Sequence, residues 1–370
     1  MASPLSTTAL SLALLTVITS ACASDTDKRS QAEAGRAPKL SAVTSFQIRS
    51  EILDDERTIH VMSSSDVFLN DETQFFIAQD GRLFSDETTT FQGQSLELSA
   101  ILKELSTLRK TANLAVVAVN SANQSGQGFL DNTKRYAEYF PKNAIDFIDN
   151  PFERLGYRLI VDRKKNNYAR FVVEELIPTL ESEFQIDLNQ SNLGIVGMSM
   201  GGLIGLSLML EHPDIFGSSI GLSTHWTGIN FTDYLLLPIR GYIGPSDSTA
   251  QALIAYFEQF KSQMSRKTVY VDYGDLGLDA YYEPYVMRLK KILETDDSRL
   301  CVLKFENEGH EPQYWRKRLA SALSWVQHGD IRCSGIFLGN GKSVPSTSSN
   351  VSGRLLLLTH QCESPHRGCI

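Results

Sequence analysis

The feature that most constrains the fold of this chain is a short run near its middle, Gly197-Met198-Ser199-Met200-Gly201. An apolar strand pattern precedes this run, and an apolar helical pattern begins at Gly202. Between a strand and a helix, G-x-S-x-G predicts a turn so sharp that the serine backbone is strained and side chains two residues away would collide. The turn exposes the Ser199 hydroxyl at the end of a sheet, and the Met200 N–H at the helix N-terminus favours a developing oxyanion. We predict that Ser199 is a nucleophile and that Met200 supplies one oxyanion donor.

A serine nucleophile needs a general base, and the sequence offers seven histidines. His310 follows a strand pattern at residues 301–305 and precedes a helix that begins near Trp315. It therefore lies on the loop between the last predicted strand and the last predicted helix. Folds in which strands alternate with helices around a G-x-S-x-G turn supply the general base from this loop. The other histidines between Ser199 and the C-terminal tail have simpler roles. His212 can cap the end of the helix after the turn, His225 can line the pocket mouth, and His328 ends a helix in contact with solvent. We predict that His310 is the base.

An acid that orients the histidine is expected between Ser199 and His310, because nucleophilic turns of this kind are followed by the acid and then by the base. Residues 268–273 have the pattern of a strand, and a glycine-containing loop follows before the next helix. Asp279, at the end of this loop, is the predicted acid, although an aspartate there could also cap the helix. The alternatives that remain open are Asp275, Asp272 and Glu283.

Strand patterns alternate with helical patterns along most of the chain. They lie near residues 58–63, 74–79, 114–119, 193–198, 218–223, 267–273 and 301–306. This alternation predicts an α/β fold with a mostly parallel sheet wrapped by helices. Because no linker and no internal repeat interrupt residues 45–328, we predict one catalytic domain at residues 45–330.

Further motifs are similar to those of one known family. In the downstream half they are Gly197-Met198-Ser199-Met200-Gly201-Gly202, His212-Pro213-Asp214-Ile215-Phe216-Gly217, Asp272-Tyr273-Gly274 with Leu278-Asp279, and Gly309-His310. In the upstream half they are Glu56-Arg57-Thr58-Ile59-His60-Val61, the segment Phe76 to Phe84 with Asp80-Gly81, and Arg135-Tyr136-Ala137-Glu138-Tyr139-Phe140-Pro141. Together they resemble the "putative esterase" group of α/β hydrolases over about residues 45–328. That group includes esterase D-like, enterochelin, feruloyl and acetylxylan esterases and mycolyltransferase-like proteins.

The resemblance implies the α/β-hydrolase fold, with a mostly parallel central sheet flanked by helices on both faces. It implies cleavage of carboxylic esters without a cofactor. It also implies a second oxyanion donor, which is a backbone N–H of Gly81 or Arg82. Two positions depart from the family pattern: Asp275 stands where the family often has an apolar or hydroxyl residue, and Glu311 follows His310 where the family often has Asn or Ser. Neither departure removes a predicted member of the site.

Composition bears on the class of partner. The chain has a formal net charge of −8, which argues against general nucleic-acid binding. The sequence contains neither Cys-x-x-Cys nor His-Glu-x-x-His, so we predict no structural or catalytic zinc. The expected partner is a small-molecule or sugar-linked ester, and neither a cofactor nor a metal is expected.

The N-terminal segment has the pattern of a secretory signal. Residues 10–19 are apolar but too few to span a membrane, and Ala21-Cys22-Ala23 offers a cleavage site, so residues 1–23 are predicted to be a signal peptide. Thr19-Ser20-Ala21-Cys22 is also similar to a bacterial lipoprotein signal, in which Cys22 would carry a lipid anchor. Residues 24–44 are polar and are predicted to be a flexible tether. We expect a secreted or periplasmic protein, or one anchored to a membrane through Cys22.

The C-terminal segment, residues 331–370, changes character and is predicted to be an irregular tail that catalysis does not require. Beyond Cys22, the cysteines allow three disulfide pairings in an oxidising compartment, and they are Cys301, Cys333, Cys362 and Cys369. Cys301 lies in an apolar strand pattern, so we expect it to be a buried thiol.

The sequence therefore predicts a serine hydrolase that cleaves carboxylic esters through Ser199, His310 and Asp279 and an acyl-enzyme intermediate. One alternative is an acyltransferase of the mycolyltransferase kind, in which a sugar hydroxyl replaces water at the same residues. Another is a non-catalytic surface binding protein that keeps this fold.

Overall fold

The computed structural model describes residues 39–40, 43–63, 67–68, 73–84, 94–107, 113–122, 129–162, 167–229, 244–329, 333, 336–338 and 342–343. Its strands are β1 Lys39–Leu40, β2 Val43–Ser50, β3 Asp55–Ser63, β4 Val67–Phe68, β5 Gln74–Gln79, β6 Leu114–Val119, β7 Leu193–Met198, β8 Ser218–Leu222, β9 Thr268–Gly274, β10 Arg299–Glu306, β11 Ile336–Leu338 and β12 Lys342–Ser343. Its α-helices are α1 Leu98–Thr107, α2 Phe129–Tyr139, α3 Pro151–Ile160, α4 Tyr168–Phe171, α5 Ile177–Phe184, α6 Met200–Glu211, α7 Asp247–Glu258, α8 Glu283–Leu293 and α9 Pro312–His328. A π-helical segment, Val172–Leu176, joins α4 to α5, and 3₁₀ turns lie at Gly81–Leu83, Lys142–Phe147, Lys261–Met264 and Gly277–Tyr281.

Ten of the described strands form one sheet in the order β12-β11-β10-β9-β8-β7-β5-β6-β3-β2. The strands from β11 across to β6 run parallel to one another, whereas β2, β3 and β12 pair antiparallel with their neighbours. Every residue of β6 and β7 is buried, as is typical of parallel strands that helices cover on both sides. The predicted fold class is confirmed.

Helices cover the two faces of the sheet with separate apolar cores. On one face, Leu102 of α1 and Leu319 of α9 belong to the same core as Val196 of β7. On the other face, Leu253 of α7 belongs to the same core as Ile195 of β7. The neighbours Ile195 and Val196 point to opposite faces, because the side-chain period of a strand is two residues. The sheet is therefore buried from both sides around the segment that leads to Ser199.

The parallel strands bring their carboxyl ends to one edge of the sheet. The register pairs Val196 with Ala78, Met198 with Leu222, and Leu222 with Asp272, so the loops after β5, β7, β8 and β9 begin side by side. Strand β6 lies on one side of β5 and β7 on the other, so the chain changes direction across the sheet at β5. Open α/β sheets form ligand sites at such a switch point.

Both predicted domain ends are corrected. The boundary placed at residue 44 falls inside β2, which adds to the sheet as an antiparallel edge strand. The tail predicted to be irregular from residue 331 contains β11, which pairs parallel with β10, and β12, which pairs with β11. β2 shows only a weak strand pattern because half of its side chains face solvent, and β11 and β12 show little pattern because they are short.

Cys301 is not a free thiol as predicted. It forms a disulfide with Cys333, 32 residues further along the chain. The bond joins β10 to the segment that leads into β11, and Cys301 itself is buried. The predicted signal peptide and lipid-anchor site at Cys22 lie outside the described residues. None of the described helices is both long enough and apolar enough to span a bilayer.

Candidate active site

The turn between β7 and α6 has the strained geometry predicted from G-x-S-x-G. Ser199 adopts φ 55° and ψ −125°, a conformation that costs a non-glycine residue free energy. The neighbouring loop holds it there, because the Ser199 N–H donates to Leu222 O at 3.0 Å and Ser199 O accepts from the His225 N–H at 3.1 Å. A Cβ atom on Gly197 would overlap the carbonyl of Gly201, so the close approach of these two residues requires glycine.

His310 lies between Ser199 and Asp279. Its Nε2 is 2.8 Å from Ser199 Oγ, and its Nδ1 is 2.7 Å from Asp279 Oδ1. Tyr282 and Trp315 pack against the imidazole edge to face, with ring centroids 5.8 and 5.1 Å away. Two aromatic rings and two hydrogen bonds thus fix the orientation of the imidazole.

The position of the proton on His310 follows from the state of the Asp279 carboxylate, which is fully buried. Burial alone would raise the pKa of Asp279, but the hydrogen bond and charge of His310 outweigh it, together with hydrogen bonds from Ser223 Oγ at 2.5 Å and the Gly274 N–H at 2.7 Å. The pKa of Asp279 is therefore held below its ordinary value. An ionised carboxylate only accepts, so His310 carries its proton on Nδ1 and leaves Nε2 free to accept from the Ser199 hydroxyl.

The alternative acids are engaged elsewhere. Asp275 Oδ1 accepts from the Asn307 N–H at 2.7 Å, and Glu283 pairs with Lys304 near the surface. Asp272 is buried against Arg318 at 2.9 Å, and burial, opposed by Arg318, raises its pKa to about 6. Of the predicted candidates, the structure brings only Asp279 to the imidazole.

The loop after β5 lies next to Ser199, because β5 and β7 are neighbours. Asp80 adopts a left-handed conformation at φ 60°, and Arg135 of α2 holds its carboxylate through two hydrogen bonds of 2.6 Å. Gly81 opens the 3₁₀ turn that also contains Arg82, and a Cβ atom on Gly81 would lie 2.6 Å from Asn120 Oδ1. Among the described residues, neither the Gly81 N–H nor the Met200 N–H has a hydrogen-bond acceptor.

His225 forms part of the surroundings of the site. It is buried, its Nε2–H donates to Gly228 O at 3.1 Å, and its Nδ1 accepts from the Tyr282 hydroxyl at 3.1 Å. Burial and the nearby His310 lower the pKa of His225 to about 3. The ring therefore stays neutral, packed edge-on between Tyr282 and Tyr136.

Two side chains that support Asp279 were not predicted from the sequence, Ser223 and Arg318. Arg318 lies on the inner face of α9, one helical turn from the buried Trp315 and Ala322, and this basic residue on an apolar stripe was a readable signal of a buried partner. Ser223 follows β8 with φ 43°, and nothing in the local sequence distinguishes it from other loop serines.

The described residues contain no group of three His, Cys, Asp or Glu side chains placed to hold a metal ion. Hydrogen bonds join the polar groups at the carboxyl edge of the sheet. A hydroxyl, an imidazole and a buried carboxylate in one hydrogen-bonded line can remove a proton from the hydroxyl as it attacks a carbonyl.

Comparison with known proteins agrees with this architecture. Residues 161–326 match the sequence model of the "Putative esterase" family. The chain is 22% identical over 204 residues to the uncharacterized protein YbbA of Bacillus subtilis (strain 168), which corresponds to 53% of this chain and 71% of that protein.

The solved structures that share the fold include two esterases. A ferulic acid esterase superposes with a TM-score of 0.53 at 15% identity, over 78% of this chain and 98% of that one. The enterobactin esterase FES from Shigella flexneri superposes with a TM-score of 0.52 at 17% identity, over 80% of this chain but only 61% of the esterase. The match of residues 161–326 to the putative esterase family, together with the shared α/β-hydrolase fold, supports carboxylic ester hydrolysis.

Proposed function

We propose that this chain is a serine carboxylesterase in which Ser199, His310 and Asp279 act as a catalytic triad. The observation that carries the proposal is the unbroken hydrogen-bonded line from Ser199 Oγ through both nitrogens of His310 to Asp279 Oδ1. Ser199 attacks the ester carbonyl as His310 Nε2 takes its proton. His310 then returns that proton to the departing alcohol, which leaves the acyl group bonded to Ser199 Oγ.

Water completes the cycle in the proposed mechanism. His310 takes a proton from water, the resulting hydroxide attacks the acyl carbonyl, and Ser199 leaves with the proton returned. Asp279 keeps the imidazole in the required tautomer and stabilises its charge in both halves. The amides of Met200 and of Gly81 or Arg82 would stabilise the oxyanion, each by about 3 kcal/mol.

Secretion to an oxidising compartment is part of this proposal. It is supported by the signal-like pattern of residues 1–23 and by the Cys301–Cys333 disulfide. Disulfides persist in extracellular and periplasmic proteins and are rare in the reducing cytosol.

The test is Ser199→Ala assayed on aryl esters of graded acyl length. Loss of a triad nucleophile lowers kcat by about 10⁴- to 10⁶-fold, so turnover should vanish while the thermal unfolding curve stays close to that of the wild type. The matched control is Ser207→Ala, which replaces a buried serine on α6, the helix that begins directly after Ser199, and should retain activity. Retention of more than a few per cent of activity in pure Ser199→Ala protein would contradict the proposal.

The same experiment separates the alternatives and narrows the substrate. Faster consumption of ester when a sugar acceptor is added would favour the acyltransferase, and a wild type that neither hydrolyses esters nor reacts with a fluorophosphonate would favour a binding protein. The panel should include ferulate esters and enterobactin, because two structural neighbours carry those names.

A further inference from the structure

Arg318 joins three loops at the carboxyl edge of the sheet. Its guanidinium is buried, and it donates to Asp272 Oδ1 at 2.9 Å and to Ser223 Oγ at 3.1 Å. Its Nε lies 3.4 Å from Glu308 Oε2, on the loop that carries His310. One side chain from α9 therefore contacts the ends of β8 and β9 and the loop after β10.

The hydrogen bonds around Ser223 have only one consistent direction. A guanidinium has no acceptor, so Arg318 must donate and Ser223 Oγ must accept. The single proton of the Ser223 hydroxyl is then directed to Asp279 Oδ2, 2.5 Å away. Arg318 thus determines which partner receives the Ser223 proton, although it does not touch Asp279 itself.

This proton fixes the Asp279 carboxylate in two respects. With Oδ2 engaged by Ser223 and by the Gly274 N–H, the carboxylate is held so that Oδ1 faces His310 Nδ1. The same two donors favour the ionised form of a carboxylate that burial would otherwise protonate. Asp272 keeps Arg318 in place and also accepts from the Ser223 N–H at 3.1 Å.

The loops of the acid and of the base are also bonded to each other. Glu308 O accepts from the N–H groups of Asp275 and Leu276 at 2.9 and 3.0 Å, and Asp275 Oδ1 accepts from the Asn307 N–H. These bonds set the distance between the two loops, but they leave the rotation of the Asp279 carboxylate undetermined. The Gly274 N–H and the Ser223 hydroxyl, which both donate to Asp279 Oδ2, supply that remaining constraint.

We propose that Arg318 and Ser223 are positioning residues for the hydrolysis: Arg318 orients the Ser223 proton, and Ser223 in turn orients the Asp279 carboxylate toward His310. The proposal rests on the triad function proposed above. A merely structural role for Arg318, which would be to neutralise Asp272, predicts loss of stability without a change at the imidazole.

The first variant is Ser223→Ala in the full chain. Loss of one hydrogen bond to a charged group should lower kcat by about 10- to 100-fold with KM within about twofold of the wild type. The downfield proton NMR signal of the hydrogen between His310 Nδ1 and Asp279 should shift or broaden. Ser207→Ala is the matched control, because it also deletes a buried hydroxyl that bonds one neighbour, Tyr256, and it should leave kcat and the signal unchanged.

The second variant is Arg318→Lys, which keeps a charge beside Asp272 but cannot form the fork that reaches Ser223 as well. It should reproduce the fall in kcat and the NMR change of Ser223→Ala. The double variant should lose little more than either single one, because both act on the same proton. Arg318→Lys also carries the test if Ser223→Ala does not fold.

The inference is overturned if Ser223→Ala or Arg318→Lys keeps wild-type kcat with an unmoved signal, or if the two losses multiply in the double variant. The triad proposal survives that result as long as Ser199→Ala is inactive. An active Ser199→Ala protein would instead remove the triad and with it the reaction that Ser223 is inferred to support. The two failures are therefore distinguishable.

Discussion

At the residue scale, the site depends on the direction of individual hydrogen bonds more than on the number of charges. Asp272, Asp275 and Asp279 are close in sequence, yet each receives different donors: Arg318, a backbone amide of the base loop, and His310. The identity of the acid is thus a matter of what reaches each carboxylate. Sequence spacing limits the candidates for the acid to the strand and loop that carry these three aspartates. It does not show which of them contacts the imidazole, because their partners lie more than 30 residues away in sequence.

The two loop carboxylates should respond differently to amide replacement. Asp279→Asn keeps the shape but offers an NH₂ group to His310 and favours the wrong tautomer, so kcat should fall by about 10⁴-fold. Asp275→Asn keeps an oxygen that can accept from the Asn307 N–H, so kcat should stay within about tenfold of the wild type. Steady-state kinetics on one aryl ester compare them, and a more damaging Asp275→Asn would mean that the acid is misassigned.

The buried His225 should make the fold sensitive to acid. Its pKa is about 3 in the folded protein against 6.5 for an ordinary histidine, so between these values the unfolded chain binds a proton that the native chain does not. Stability therefore falls as the pH drops from about 6.5 toward 3, by about 1.4 kcal/mol per pH unit from this group. Asp272 acts in the opposite sense, because its raised pKa means that the native state protonates first between about pH 6 and 4.

Comparison of the wild type with His225→Gln isolates the histidine from Asp272, which both proteins share. Urea unfolding followed at several pH values should give the variant a shallower decline in the free energy of unfolding on acidification. Parallel curves for the two proteins between pH 6.5 and 4 would contradict a neutral buried His225.

At the element scale, parallel strands and short loops bring the functional groups together. Strands β5, β7, β8, β9 and β10 each end at the same edge, and the loop after each one contributes a group to the site or to its support. The apolar runs of these strands made them predictable, because strands buried on both faces lack polar interruptions. The edge strand β2 was missed, since half of its side chains face solvent, and β11 was missed because a three-residue strand carries almost no pattern.

The disulfide between Cys301 and Cys333 should stabilise the folded chain. A crosslink that closes a 32-residue loop lowers the conformational entropy of the unfolded chain. This raises the free energy of unfolding by about 3–4 kcal/mol. Cys333→Ala, or a chain that ends at residue 331, should therefore have a lower Tm than the wild type. A reductant should lower the Tm of the wild type but not of Cys333→Ala.

Peptide mass mapping checks the bond itself. Two results would contradict a stabilising role of the C-terminal segment: a free Cys301 thiol in the non-reduced protein, or a Tm that neither the substitution nor the reductant changes. The segment would then be the dispensable tail that the sequence predicts. Activity of the protein ending at residue 331 adds a second readout, because β10 leads directly into the loop of His310.

At the scale of the whole molecule, local sequence patterns are enough to predict the fold class. They also predict which loops of the sheet carry Ser199, Met200, Asp279 and His310. Long-range partners were beyond reach: the buried pairs Arg318–Asp272, Arg135–Asp80 and Arg57–Glu138 join distant segments, and no local signal pairs them. Buried charges on apolar stripes indicate only that a partner exists. The sequence does not predict the disulfide either, since four cysteines allow three pairings and the apolar strand around Cys301 indicated a buried thiol.

In the proposed mechanism, Ser199 carries the acyl group during turnover. The most direct measurement is mass spectrometry of protein quenched by acid during turnover of a slow aryl ester, followed by peptide mapping. We expect a mass increase equal to one acyl group on the peptide that contains Ser199, and no increase in Ser199→Ala. Turnover with no acyl adduct on that peptide, or with the adduct on another residue, would contradict it.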